Sequence, residues 1–155
     1  LIWGKVRPSK GKIETLITRS SKNRQMMEVS RTKGKKAITN YRTIEIFENK
    51  HTPTLSLVEC KLETGRTHQI RVHMKSIGHP IIFDDNYGGG IKMIKSFHVK
   101  YTKLLKSIFK SMDRVALHAK SIKFLHPNKD VVEYDVPIPD DFKKVINLAK
   151  SNELL

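Results

Sequence analysis

The chain has 155 residues, with 30 lysines and arginines against 15 aspartates and glutamates, a formal charge of +15. That length fits one domain with a sizeable core, and the charge favours polyanionic partners, nucleic acid before an anionic membrane surface. No apolar run nears the roughly 18 residues of a membrane span, no secretory pattern opens the chain, and a lone Cys60 excludes an internal disulfide. The expected location is cytoplasmic.

In chain order, residues 1–6 read as a short strand and 7–11 as a turn punctuated by Pro8 and Gly11. Residues 13–17 suit a second strand. The segment 19–36 is strongly basic, with Arg19, Lys22, Arg24, Arg31, Lys33, Lys35 and Lys36. It is either a hairpin or loop whose cations suit phosphates or a solvated surface loop. Residues 37–47 and 54–62 are rich in strand formers around a polar turn at 48–53. Their alternation is imperfect, as expected where both faces are partly covered. Cys60 falls within the second of these strands as a buried thiol.

That strand leads into Gly65, Arg66, Thr67 and His68 and then a predicted helix. Gly65 permits backbone angles other residues avoid, and Thr64 or Thr67 can cap the helix start. Ile70, Met74 and Ile77 recur at helical spacing, and Gly78, His79 and Pro80 form the stop. Arg71 falls on the shoulder of the apolar face, where it can lie half-buried and offer its planar donors to one carboxylate or phosphate. The helix start itself favours an anion. A capped amphipathic helix with a solvated polar face is the plainer alternative.

Residues 80–83 suit a short strand, and 84–90 an acidic turn with too few ligands for a metal. Between 92 and 112, Met93, Phe97, Tyr101, Leu104, Leu105 and Ile108 make a helical stripe backed by six lysines. Core packing, RNA contact or a membrane surface would each suit it. Residues 116–125 and 131–136 form a predicted hairpin around 126–130. A last helix starts at Asp140 or Asp141, with Phe142, Val145, Ile146 and Ala149 on one face. The histidines show no zinc spacing, and phosphate-loop and nucleophile-elbow patterns are absent.

The run Gly65, Arg66, Thr67, His68, Gln69, Ile70, Arg71, Val72, His73, followed by Gly78, His79, Pro80 and the Asp85, Asn86, Tyr87, Gly88 turn, closely resembles RluA-type RNA pseudouridine synthases. Trp3 and Gly4, the segment 36–41, and the segments 116–119 and 126–142 resemble the same family. The likeness covers nearly the whole chain apart from about 89–112. One departure is local: the family usually has glycine before the first aspartate of the turn, where this chain has Phe83.

The resemblance implies an α+β catalytic domain built on a mixed, largely antiparallel sheet. Residues 1–155 would be the C-terminal portion of one such domain. It implies isomerisation of uridine to pseudouridine in ribosomal or transfer RNA, with no metal or organic cofactor. Arg71 is the expected basic residue of the site, partner of an essential aspartate. Arg66, His68 and Gln69 are expected to touch RNA backbone or the motif's own loop. The family's aspartate belongs to an Arg-Leu-Asp segment that does not occur in this sequence. Arg71 is therefore expected to lack its partner, and the chain to be inactive alone. The possible partners are RNA and the missing N-terminal half; the missing strands predict an exposed sheet edge. A noncatalytic, basic RNA-binding remnant is the rival reading.

Overall fold

The two segments richest in strand formers pair with each other and form the middle of a sheet. The computed structural model describes residues 1–50 and 52–151. Its strands are β1 (Ile2–Trp3), β2 (Lys10–Arg19), β3 (Met27–Ser30), β4 (Lys35–Asn49) and β5 (Thr52–Leu62). They lie in the order β1-β5-β4-β2-β3, and every pairing is antiparallel. The α+β class is as anticipated, whereas the expected mixed character is not found among the described residues. Short connections require this for the β2–β3 and β4–β5 pairs, since they can join only antiparallel neighbours.

Ala37, Ile38 and Thr39 are buried one after another, so both faces of β4 are covered there and its alternation is blurred. The basic segment 19–36 is a hairpin: β3 folds back on β2 from Leu16↔Ser30 to Arg19↔Met27. Cys60 on β5 is partly buried, and burial pushes its thiol up to about 11.

Helix α1 (Gln69–Ser76) lies on the face of the sheet that carries Thr15, Ala37 and Thr39. Residues 80–83 do not form a strand. Only a single bridge, Ile2↔Ile81, joins them to β1, because the chain turns at once into Asp84. The stripe over 92–112 is not one helix either. It breaks into two 3-10 turns, Ile91–Ser96 and Val99–Tyr101, followed by α2 (Thr102–Lys110). Leu104, Leu105 and Ile108 enter the core while Lys103, Lys106 and Lys110 stay exposed. Phe97 stacks on Trp3 at 5.0 Å between ring centres.

Helix α3 (Asp140–Lys150) buries Phe142, Val145, Ile146 and Ala149, as its periodicity predicts. Asp140 and Asp141 in its first turn suit the positive end of the dipole. Strands β6 (Ser121–Leu125) and β7 (Val131–Asp135) form a separate two-stranded sheet. Unpaired strand edges occur on this hairpin and, as expected, in the larger sheet. There β1 pairs only with Leu55 and Ser56 of β5 and β3 only with residues 16–19 of β2, so residues 57–62 and 10–15 have no outer strand partner among the described residues. Among the described residues, no helix is long and apolar enough to cross a membrane.

Candidate active site

The turn from β5 into α1 is built by side chains that bond inward. Neither Thr64 nor Thr67 caps the helix; the residue before it is His68, in the left-handed region at φ 54°. Thr64 Oγ1 accepts from the Ile38 amide at 2.8 Å and donates to Gln69 Oε1 at 2.8 Å. Gln69 Oε1 also accepts from the Arg66 amide at 3.0 Å. Gly65 keeps a negative φ, and a Cβ added there would meet nothing within 4 Å. Its conformational freedom is not what makes this turn.

Gln69 is turned inward. It is buried, and its Nε2 donates to the Ile38 carbonyl at 2.9 Å and to Thr39 Oγ1 at 3.0 Å. With both ends of the amide engaged, it braces the loop against β4. Of the two contacts expected of Gln69, to RNA backbone or to the motif's own loop, the structure shows the second, and a buried amide with both ends bonded leaves no group for a phosphate. Arg66 stays partly exposed, with Nε donating to the Lys36 carbonyl at 2.9 Å. His68 is partly exposed as well.

The inward face of α1 differs from the apolar stripe. Gln69, Val72, His73 and Met74 are buried, while Ile70 and Ile77 are only partly so. His73 has no exposed surface. Its Nδ1 lies 2.8 Å from Thr39 Oγ1 and its Nε2 2.9 Å from Thr15 Oγ1. Two rotatable hydroxyls can serve either neutral tautomer. Burial pulls its pKa below the usual histidine value.

Arg71 is not unpartnered. Its Nε donates to Asp84 Oδ2 and its Nη2 to Asp84 Oδ1, both at 2.8 Å, in a bidentate pair. The Arg71 side chain is 16% exposed and that of Asp84 0%. Asp84, thirteen residues on, is brought there by the turn that follows Ile82. The Tyr87 amide donates to Asp84 Oδ1 at 3.1 Å, and the Gly89 amide to the Asp84 carbonyl at 2.8 Å. The hydrogen-bonded carboxylate raises the already high pKa of Arg71 further. A bidentate pair uses Nε and one Nη2 hydrogen, so Nη1 and the second Nη2 hydrogen are not engaged by Asp84.

Tyr87 closes the cluster. Its buried ring lies 4.6 Å from the Arg71 guanidinium carbon, a cation–π arrangement. Its hydroxyl accepts from the Met27 amide at 2.9 Å and lies 2.9 Å from His68 Nδ1. The one hydroxyl proton suits the Nδ1 lone pair of a neutral imidazole. Burial and the Arg71 charge lower the His68 pKa, against a smaller opposing pull from Asp84. The hydroxyl thus ties the β2–β3 hairpin to the start of α1. Asp84 and Tyr87 were not singled out from the sequence; their spacing after the helix stop was the available signal.

Next to this turn, Phe83 sits at φ 66°. Its ring packs edge-on against Phe109 of α2 at 4.7 Å. The departure from the glycine of the resembling family therefore keeps the left-handed backbone that glycine would favour.

Residues 3–76 match the sequence family described as RNA pseudouridylate synthase. The ribosomal large subunit pseudouridine synthase D of Xylella fastidiosa is 40% identical over 148 residues, which is 95% of this chain and 42% of that protein. An uncharacterized RNA pseudouridine synthase of Bacillus subtilis is 37% identical over 153 residues, 98% of this chain and 43% of its own length. Among solved structures, human RNA pseudouridylate synthase domain containing 1 superposes with a TM-score of 0.65 at 26% identity. That likeness covers 89% of this chain and 52% of the human one. The chain spans less than half the length of these two curated relatives.

Proposed function

We propose that this chain, which belongs to the RNA pseudouridine synthase family, supplies the arginine-bearing part of a site that isomerises uridine to pseudouridine in ribosomal or transfer RNA. The observation that carries this is the Arg71–Asp84–Tyr87 cluster. A guanidinium held along one edge by a buried carboxylate is fixed in its rotamer, and its free edge can receive a second anion. That second anion is the catalytic carboxylate, contributed by residues outside this sequence. Asp84 is not that group. With no exposed surface and both oxygens engaged, it can position Arg71 but cannot reach a base.

In the reaction implied by the resemblance, the bond from the ribose to N1 of uracil breaks, the base turns, and a bond from the ribose to C5 replaces it. The hydrogen at C5 is released. The target nucleotide has to leave its stack to reach such a pocket. The β2–β3 hairpin supports an RNA substrate. Arg19, Lys22, Arg24, Arg31, Lys33 and Lys35 are exposed and none is in an ion pair among the described residues. The Met27–Tyr87 hydrogen bond anchors this hairpin beside the cluster.

The test is tritium release from C5-labelled uridine in RNA, using the chain alone and joined to an aspartate-bearing N-terminal half. The expected result is release only from the joined form, lost again in Arg71→Ala. Release by the lone chain would refute the placing of the catalytic carboxylate outside this sequence. Salt-sensitive RNA binding with no release from either form would favour a noncatalytic RNA-binding role, to which the unpaired cations of the hairpin point.

A further inference from the structure

The most one-sided charge on the surface lies outside the Arg71 cluster. Lys92, Lys95, Lys100, Lys103, Lys106 and Lys110 are all exposed. None is in an ion pair among the described residues. The sequence has no aspartate or glutamate from residue 86 to residue 112. On α2 the lysines share one stripe: at about 100° per residue, Lys106 lies about 60° and Lys110 about 20° from Lys103. Leu104, Leu105 and Ile108 fall on the opposite side and are buried.

This stripe works against the helix that carries it. Like charges three and four residues apart repel, and Lys103 sits in the first turn, at the positive end of the dipole. A helix face that merely meets water mixes its signs, as α3 does with Lys143 and Asp140 at 3.0 Å. Unmixed positive charge, kept at a cost to the helix, points to a polyanion. The segment is also fixed to the turn that holds Arg71. Asp85 Oδ1 accepts from the Ile91 amide at 3.1 Å, and the Phe109 ring packs on Phe83, next to Asp84, at 4.7 Å.

The surroundings of the lysines choose among polyanions. A membrane surface needs an apolar face to receive, and that of α2 is taken up in the core. Single-stranded RNA is gripped by rings on which bases stack. Here Phe97 is stacked on Trp3, Phe109 packs on Phe83, and Tyr101 is partly buried with Lys100 Nζ 4.8 Å from its ring centre. Paired RNA is held through its phosphates and shape. The α2 lysines recur about every 4.5–6 Å along the axis, so each can meet a different phosphate.

We infer that the lysine face of residues 92–110 holds the phosphate backbone of a paired RNA stem flanking the target uridine. The inference locates the rest of the substrate and so rests on the isomerase reading of the Arg71 site.

The test measures binding of the full chain to a stem-loop RNA of about 16 base pairs with uridine in its loop, and to the loop sequence alone. The variant is the triple Lys103→Gln, Lys106→Gln and Lys110→Gln. Stem-loop binding should weaken about tenfold, with the single strand unaffected. The slope of log affinity against log salt should fall by about three, near one per lysine. Lys106→Gln alone should repeat about a third of that fall. Equal charge removed at paired positions, Lys120→Gln, Lys123→Gln and Lys143→Gln, should change the slope by less than about one. Those lysines already face Asp135 at 2.7 Å, Glu133 at 3.4 Å and Asp140 at 3.0 Å. Circular dichroism should show the parent's helix content in every variant.

The inference is overturned by an unchanged slope in the triple variant, or by an equal loss for the single strand or in the paired-lysine control. It is also overturned if phosphatidylserine vesicles bind the parent through these lysines while RNA affinity stays unaltered by their removal. In the form joined to an aspartate-bearing half, the triple variant should raise KM for the stem-loop about tenfold and leave kcat unchanged. Lysine-dependent stem binding without tritium release would sink the isomerase reading and leave the stem-binding surface standing. Tritium release with an unaltered KM would do the reverse.

Discussion

The Arg71 cluster and the β6–β7 hairpin are opposite solutions to placing charged and aromatic side chains. Around Arg71, a cation, a carboxylate and a tyrosine pack against one another, with both carboxylate oxygens and one edge of the guanidinium engaged. On the hairpin, ion pairs lie in water and aromatic rings lie beside them uncovered. Both regions contain salt bridges, yet their weights differ widely. Removing one partner of a buried pair strands a charge in a poor solvent for it, whereas an exposed pair exchanges its partner for water.

The sharpest way to break this contrast is Asp84→Ala. It leaves the Arg71 guanidinium largely buried without its carboxylate, and a loss of about 3 kcal/mol is expected in urea unfolding. A loss under about 1 kcal/mol would mean that Arg71 simply swings into solvent, and the idea of a rigid arginine would fall. Next is Tyr87→Phe, which removes the acceptor for the Met27 amide and the contact with His68 Nδ1. About 1–2 kcal/mol is expected from the unsatisfied donor. Faster exchange of the Met27 amide should accompany it, and unchanged exchange would show that the hairpin is anchored otherwise.

How much of this was legible in the sequence depended on where each side chain found its partner. Apolar residues that pack by repeating contacts were readable: the β4–β5 pairing, the α3 stripe and the β6–β7 hairpin all follow their patterns. Gln69 and His73 were not, because a polar side chain turned inward has no periodic mark. Their partners Ile38, Thr39 and Thr15 come from strands 30 or more residues away. Arg71 was readable as a half-buried arginine from its shoulder position, while its carboxylate was not. Asp84 reaches it only through a turn whose path no local pattern specified. The 92–112 stripe failed for a further reason: His98 accepts from the Lys100 amide at 3.2 Å and starts a new 3-10 turn, interrupting what spacing read as continuous helix.

A gentler probe is pH. The His73 pKa is lowered by burial, so the unfolded chain binds a proton more readily than the folded one. Stability is therefore full above the ordinary histidine range near 6.5 and declines as pH falls through it, until the folded-state pKa is passed. His68 is shifted in the same direction and adds to the slope. Unfolding free energies at pH 7.5 and 5.5 should differ in the parent and differ less in His73→Gln. An equal slope in both would rule out His73 as a source. The smallest effect belongs to the hairpin: Lys123→Ala should change stability by less than about 0.5 kcal/mol, as for other exposed pairs. A larger loss would erase the contrast with Arg71.

Phe83 makes the turn after α1 dependent on the lysine-rich helix. A bulky side chain in the left-handed region costs about 1–2 kcal/mol, and here its ring is held by Phe109. Without the helix that carries Phe109, phenylalanine rather than glycine at this turn would be a loss with no return. With the helix in place, the same exchange adds an aromatic contact that offsets the backbone strain. Phe83→Gly should be mildly harmful with Phe109 present and beneficial in a Phe109→Ala background, a reversal of sign that measures how far the aromatic contact offsets the backbone strain.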